Sequence, residues 1–130
     1  MLDQSQIISR NMDAARRFYR AAARPLGLSV FEASDDGFMV GRAGAGTMLR
    51  VRCAEALSRG DDQMGETQPA HVALEAPDDA SVRAFFRAAL EAGGRQLGRP
   101  APQPTGGQGS YYAARVIDPD GNCIECGWRH

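Results

Sequence analysis

The chain has 130 residues, enough for one domain with its own core, and 43% of them are hydrophobic. A formal charge of −1 leaves no electrostatic footprint for nucleic acid. All fifteen basic residues are arginine, which excludes a Schiff-base or P-loop lysine, and no apolar run approaches the ~20 residues of a membrane span.

The opening MLDQSQIISR lacks the basic and apolar regions of a secretory signal, so the expectation is a cytoplasmic protein with reduced thiols. Three cysteines, an odd number, argue against a disulfide framework. The first predicted element is a short strand, DQSQIIS (3–9). A helix follows over AARRFYRAAA (14–23), with Asn11 placed to cap its free N–H groups and Gly27 just past its end. A short strand is expected at about 28–33. FMVGRAGAGTMLRVRC (38–53) then reads as strand, tight turn, strand, with Gly46 in the turn. The polar stretch AEALSRGDDQMGETQ (54–68) reads as a connector.

The same order then recurs. AHVALEA (70–76) alternates, with Val72, Leu74 and Ala76 on one face and His71, Ala73 and Glu75 on the other, as in a half-buried strand. SVRAFFRAAL (81–90) has a helical apolar stripe of Val82, Phe85, Phe86, Ala89 and Leu90, with Asp78 as N-cap and Gly93 beyond the C-terminus. Another strand is expected at about 94–98. GRPAPQPTGGQGS (98–110) reads as a long loop, either a lid over a cavity mouth or a loop with no role. AARVIDPDGNCIECGW (113–128) closes the chain as strand, turn, strand, with Asp120-Gly121 as the hairpin signal.

The two halves align residue by residue. At an offset of 67, Arg16, Phe18, Arg20, Ala21 and Ala22 recur as Arg83, Phe85, Arg87, Ala88 and Ala89. At an offset of 75 the later hairpins correspond, and Gly46 falls opposite Gly121. The chain therefore reads as one α+β domain over 1–130. Module 1 covers about 1–55, the connector about 54–68 and module 2 about 69–130, each in the order βαβββ.

Cys123-Ile-Glu-Cys126 has the spacing of a redox or zinc motif. On a strand, however, Cys123, Glu125 and Gly127 share one face, and Ile124, Cys126 and Trp128 share the other. The two sulfurs point opposite ways and cannot close on one metal or on each other. Cys53 and Cys126 read as small core residues. In the first half Leu49, Val51 and Cys53 make the apolar face, with Met48, Arg50 and Arg52 opposite. The repeat pairs Gln4 with His71 and Arg50 with Glu125, all four on faces turned away from the helix-packed core.

HVALEAPDDASVRAFFRAALEAGG (71–94) and YYAARVIDPDGNCIECGW (111–128) resemble the vicinal oxygen chelate superfamily, which includes glyoxalase I, extradiol dioxygenases and the fosfomycin- and bleomycin-resistance proteins. The resemblance covers nearly the whole chain. It implies paired βαβββ modules forming a curved, U-shaped mixed sheet around a cavity, with helices on the outer face. It also implies metal ligands on the first and last strands of each module, at positions that look like Gln4, Arg50, His71 and Glu125. Three of these suit a divalent metal (Zn, Ni, Mn or Fe) with open sites for a substrate's adjacent oxygens. Arg50 departs from the pattern. A guanidinium about 4 Å from a dication is repelled by roughly 8 kcal/mol at an effective dielectric of ~20.

Two functions follow as expectations. The first is a metal-assisted lyase or isomerase of the glyoxalase kind, acting on a small oxygenated metabolite. Gln4, His71 and Glu125 would be ligands, Glu125 alternatively a proton shuttle, and Arg50 or Arg115 would hold a carboxylate or phosphate; a dioxygenase fits less well, because only three ligands are found. The second is a metal-free protein that sequesters a small molecule, with Glu125 in an ion pair with Arg50. Tyr111 and Phe38 are candidates for the cavity wall or, as aromatics on strands, for the core, and Glu125 alternatively pairs with Arg115. The resemblance favours a homodimer. No nucleic-acid or membrane partner is expected.

Overall fold

The computed structural model describes residues 5–34, 37–42, 47–54, 70–104 and 110–129. Its elements are β1 (Ser5–Ser9), α1 (Met12–Ala23), a 3-10 turn (Arg24–Leu26), β2 (Ser29–Ser34), β3 (Gly37–Gly41) and β4 (Thr47–Cys53), then β5 (His71–Glu75), α2 (Asp79–Glu91), β6 (Arg95–Gln103), β7 (Tyr111–Ile117) and β8 (Cys123–Arg129). The strands form two curved four-stranded sheets, ordered β1-β4-β3-β2 and β5-β8-β7-β6. In each, the first strand is parallel to the last and the other pairs are antiparallel. The expected α+β architecture of two βαβββ units is therefore present. The connector and Gly46 lie outside the described residues.

Both helices start where the sequence placed their caps. Asn11 Oδ1 accepts the Ala14 N–H at 3.1 Å, and Asp78 Oδ1 accepts the Ser81 N–H at 2.7 Å. Hydrogen bonding to the Ser81 side chain, then to its backbone N–H, holds the Asp78 carboxyl below its usual pKa range. Ala15, Phe18, Tyr19, Ala22 and Ala23 make the buried stripe of α1, and Val82, Phe85 and Ala89 that of α2. The helices pack on each other and on one face of each sheet. One apolar core thus runs through both units, from Ile7, Leu49 and Val51 to Val72, Ile124 and Cys126.

The DPDGN turn ties the units together. Gly121 has φ +95°, a conformation costly for any side chain, and its N–H closes on Asp118 O at 3.0 Å. Asp118 is 2% exposed. It accepts from the backbones of Asp120 and Asn122, from the Asn122 amide, and from Tyr19 on α1 of the other unit at 2.5 Å. Asn122 Oδ1 in turn takes the Ala70 N–H at 2.8 Å, and Asp120 Oδ1 takes the Arg10 N–H at 2.9 Å. Burial, followed by the adjacent Asp118 carboxylate, pushes the Tyr19 hydroxyl well above its ordinary pKa.

Residues 98–103, read as loop, continue β6 as far as Gln103. Pro100 and Pro102 misled the reading because they cannot donate to a ladder. β6 is an edge strand, where a missing donor is tolerated, and its pairing with β7 shifts register twice on the way. Residues 105–109, the rest of the proposed lid, lie outside the described residues.

The cysteines of C-x-x-C do point apart. Cys126 is fully buried in the core, Cys123 is half-buried on the opposite face, and all three cysteines are free. Burial, with a smaller push from Glu125, raises the Cys126 thiol to about 12. The thiolate is the reactive form, so native protein at pH 8 is expected to alkylate at Cys126 far more slowly than at Cys53 or Cys123. Because its folded pKa is raised, the stability Cys126 contributes is complete below about pH 8.5 and is lost as pH climbs toward the folded value. Mass-spectrometric mapping after timed iodoacetamide treatment checks this; equal labelling of all three would contradict the burial.

Candidate functional site

Away from the helices, each sheet has an open face whose residues follow from strand alternation. On the second sheet this face carries His71, Ala73 and Glu75 from β5, Cys123, Glu125 and Gly127 from β8, and Tyr111 and Arg115 from β7. The β7–β8 register sets Arg115 directly opposite Glu125 and Tyr111 opposite Arg129. Parallel pairing sets Ala73 beside Glu125 and His71 beside Cys123, so His71 approaches Glu125 diagonally.

Glu125 is the centre of the arrangement. Its Oε2 accepts the Tyr111 hydroxyl at 2.6 Å. Its Oε1 lies 3.4 Å from Arg115 Nε and 3.6 Å from His71 Nε2. The carboxylate side chain is 19% exposed, whereas His71 is 60% and Arg115 44% exposed, so the acid lies low and its partners rim it. Arg115 Nη2 also reaches Gln103 Oε1 at 3.5 Å. Burial, then the Glu125 hydrogen bond, pushes the Tyr111 hydroxyl up to about 12.

Tyr111 reaches Glu125 because residue 127 is glycine. A Cβ there would fall inside the Tyr111 ring, against its Oη, Cζ and Cε1 atoms. The ring instead lies across the strand, with the Arg129 guanidinium 4.5 Å from its centroid. Gly127, Arg129 and Gln103 were not singled out from the sequence.

The other sequence candidates lie elsewhere. Arg50 is exposed on the open face of the first sheet, opposite Gln6 and Met39. Among the described residues no ion pair links it to Glu125; Arg115 takes that place. Gln4 lies outside the described residues. Phe38 is not on an open face: it is fully buried against the helices, 6.1 Å from the Tyr19 ring and 5.6 Å from the Arg16 guanidinium. Its neighbour Met39 takes the open face instead, because alternation on β3 puts Phe38 with Val40.

The fit to a metal is partial. His71 Nε2 and Glu125 Oε1 are near enough to share one cation, but among the described residues no group of three or more His, Cys, Asp or Glu comes together. The Arg115 cation already faces the same carboxylate oxygen. These residues alone do not make a metal centre.

The sequence model of the Glyoxalase/Bleomycin resistance protein/Dioxygenase superfamily matches residues 1–126. The chain belongs to that superfamily. Among solved structures, a glyoxalase/bleomycin resistance protein from Albidiferax ferrireducens T118 superposes with a TM-score of 0.80 at 22% identity, covering 99% of each chain. A glyoxalase-related enzyme from Fulvimarina pelagi gives 0.76 at 16% identity, covering 99% of this chain and 88% of its own. A lactoylglutathione lyase from Agrobacterium tumefaciens gives 0.69 at 20% identity, covering 98% and 92%. A search of curated proteins finds no match. At these identities the superpositions speak for the fold, and the open face of this superfamily member has to be read from its own residues.

Proposed function

We propose that this superfamily member is a lyase or isomerase acting on a small, oxygenated, anionic metabolite, with Glu125 as the group that carries the proton. The supporting observation is the setting of Glu125: a low-lying carboxylate between Tyr111, Arg115 and His71 on an open sheet face. Arg115 and His71 are exposed enough to turn from Glu125 to a ligand's oxygens. A guanidinium presents paired N–H donors that suit a carboxylate or phosphate. Tyr111 donates to Oε2 and leaves Oε1 as the oxygen that meets the substrate proton. Proton abstraction by a positioned carboxylate is worth roughly 10²–10⁴ in rate, so losing it is measurable.

A second reading keeps the divalent metal (Zn, Ni, Mn or Fe), which the 3.6 Å approach of His71 to Glu125 favours. His71 and Glu125 would hold it, with Gln4 as a third donor, and the bound ion would supply Lewis-acid polarisation of a substrate oxygen. The pairing β5-β8-β7-β6 leaves β5 as an edge, as β1 is in the first sheet. A homodimer would give each of these edges a neighbour and bring the Arg50 face of one copy toward the His71–Glu125 face of the other. The protein would work in the cytoplasm; among the described residues no helix is long and apolar enough to cross a membrane.

Metal analysis of purified protein, with turnover of small hydroxy- and oxo-acids assayed on parent, Glu125→Gln and His71→Ala, tests both readings. The first expects metal-independent turnover that falls at least a hundredfold in Glu125→Gln. Stoichiometric metal lost in His71→Ala moves the assignment to the second. Saturable binding without turnover by any variant would leave the sequestering function in their place.

A further inference from the structure

A cavity of about 330 Å³ opens beside the site, between the ends of β5 and β8. Ala73, Gly127 and Tyr111 are among the residues that line it, and Glu75 and Arg129 both border it. The acid and the base sit on different strands. Glu75 pairs in register with Gly127, so Arg129 lies on the neighbouring strand two residues beyond its partner, and the Tyr111 ring lies over Gly127. Arg129 lays its guanidinium over the Tyr111 ring. Among the described residues no ion pair joins it to Glu75, and Glu75 has no other cationic partner. Two opposite charges thus border one small hollow without neutralising each other.

We propose that this cavity binds the zwitterionic end of a small molecule, an α-amino-acid-type group, with its ammonium on Glu75 and its carboxylate on Arg129. Both side chains are exposed, so a ligand with one charge would engage one of them and leave the other to solvent. A ligand with both charges satisfies each. The volume suits a small molecule and is too tight for a folded partner. The cavity also has a fixed relation to Glu125. Gly127 lies two residues along the same strand face, about 7 Å away, and Tyr111 touches both the cavity and Glu125. If Glu125 carries the proposed chemistry, the substrate is an amino-acid derivative whose reacting carbon lies about that far from its charged end. Only this last step rests on the proposed reaction.

The test needs no turnover, so its outcome is separate from that of the proposed reaction. ¹⁵N-labelled protein is titrated with L-alanine, propionate and propylamine, following the Ala73 and Gly127 amides. L-alanine is expected to give saturable shifts at both amides, with the two singly charged probes at least fivefold weaker. Glu75→Gln and Arg129→Met should each weaken alanine binding at least fivefold while leaving the remaining spectrum in place. Equal binding of propionate or propylamine would overturn the zwitterion assignment. Absence of saturable shifts, or indifference to both substitutions, would overturn the site.

Discussion

Asp118→Ala is expected to lower the unfolding free energy by about 3–5 kcal/mol. The carboxylate is almost fully buried and accepts from four separate donors: the Tyr19 hydroxyl, the Asp120 and Asn122 backbones and the Asn122 amide. A buried donor left without a partner costs about 1–3 kcal/mol, and alanine strands several at once. One donor, Tyr19, comes from the first unit, and Asn122 also holds Ala70 at the start of β5. Loss of the carboxylate therefore loosens both the β7–β8 turn and the seam between units. For a domain of this size the melting temperature should fall by roughly 10–20 °C. Tyr19→Phe is the milder partner. It removes one donor and leaves the others on Asp118, so about 1 kcal/mol is expected. Urea denaturation of both variants checks the pair. An Asp118→Ala protein within 1 kcal/mol of the parent would mean that the turn holds without its acceptor.

The fold was legible because each signal was periodic and occurred twice. Strand alternation placed Val72, Leu74, Ile124 and Cys126 inward and His71 and Glu125 outward, as observed. The offsets of 67 and 75 hold at the level of register: Gln6 faces Arg50 in the first sheet as Ala73 faces Glu125 in the second. Alternation gives a face, though, and says nothing about which neighbour a long side chain selects. Glu125 was open to Arg50 or Arg115, and Arg115 holds it because the two are register partners across β7 and β8. Counting outward from the Asp120-Gly121 turn gives that partnership, with Ile117 opposite Cys123 and Tyr111 opposite Arg129. Phe38 was open to the cavity wall or the core, and alternation along β3 decides it, since Phe38 and Val40 share the buried face. The prolines of β6 misled for another reason. Propensity penalises proline in a paired strand, and only sheet order shows that this strand is an edge. The role of Gly127 was beyond reach for want of a diagonal contact, since nothing in the sequence says that the Tyr111 ring crosses to it.

That contact gives the second large expectation. Gly127→Ala should displace the Tyr111 ring and cost about 1–3 kcal/mol of stability, the usual penalty for forcing atoms into occupied space. The relief is not a small side-chain adjustment, because the colliding atoms are the phenol carbon and oxygen themselves and Arg129 covers the ring. As the ring leaves, Glu125 loses the hydroxyl on Oε2 and the cavity loses part of its lining. Ligand binding and any turnover at Glu125 should drop at least tenfold, about 1.4 kcal/mol. Tyr111→Phe isolates the hydroxyl, since it keeps the ring over Gly127 and removes only the bond to Glu125; its stability loss should be under about 1 kcal/mol. The decisive comparison is a double-mutant cycle. In a Tyr111→Ala background the space over residue 127 is free, so adding Gly127→Ala should cost under about 0.5 kcal/mol, a coupling of at least about 0.5 kcal/mol relative to the parent background. Additive losses would show that residue 127 is glycine for some reason other than the ring above it, and the placement of Tyr111 against Glu125 would then need another cause.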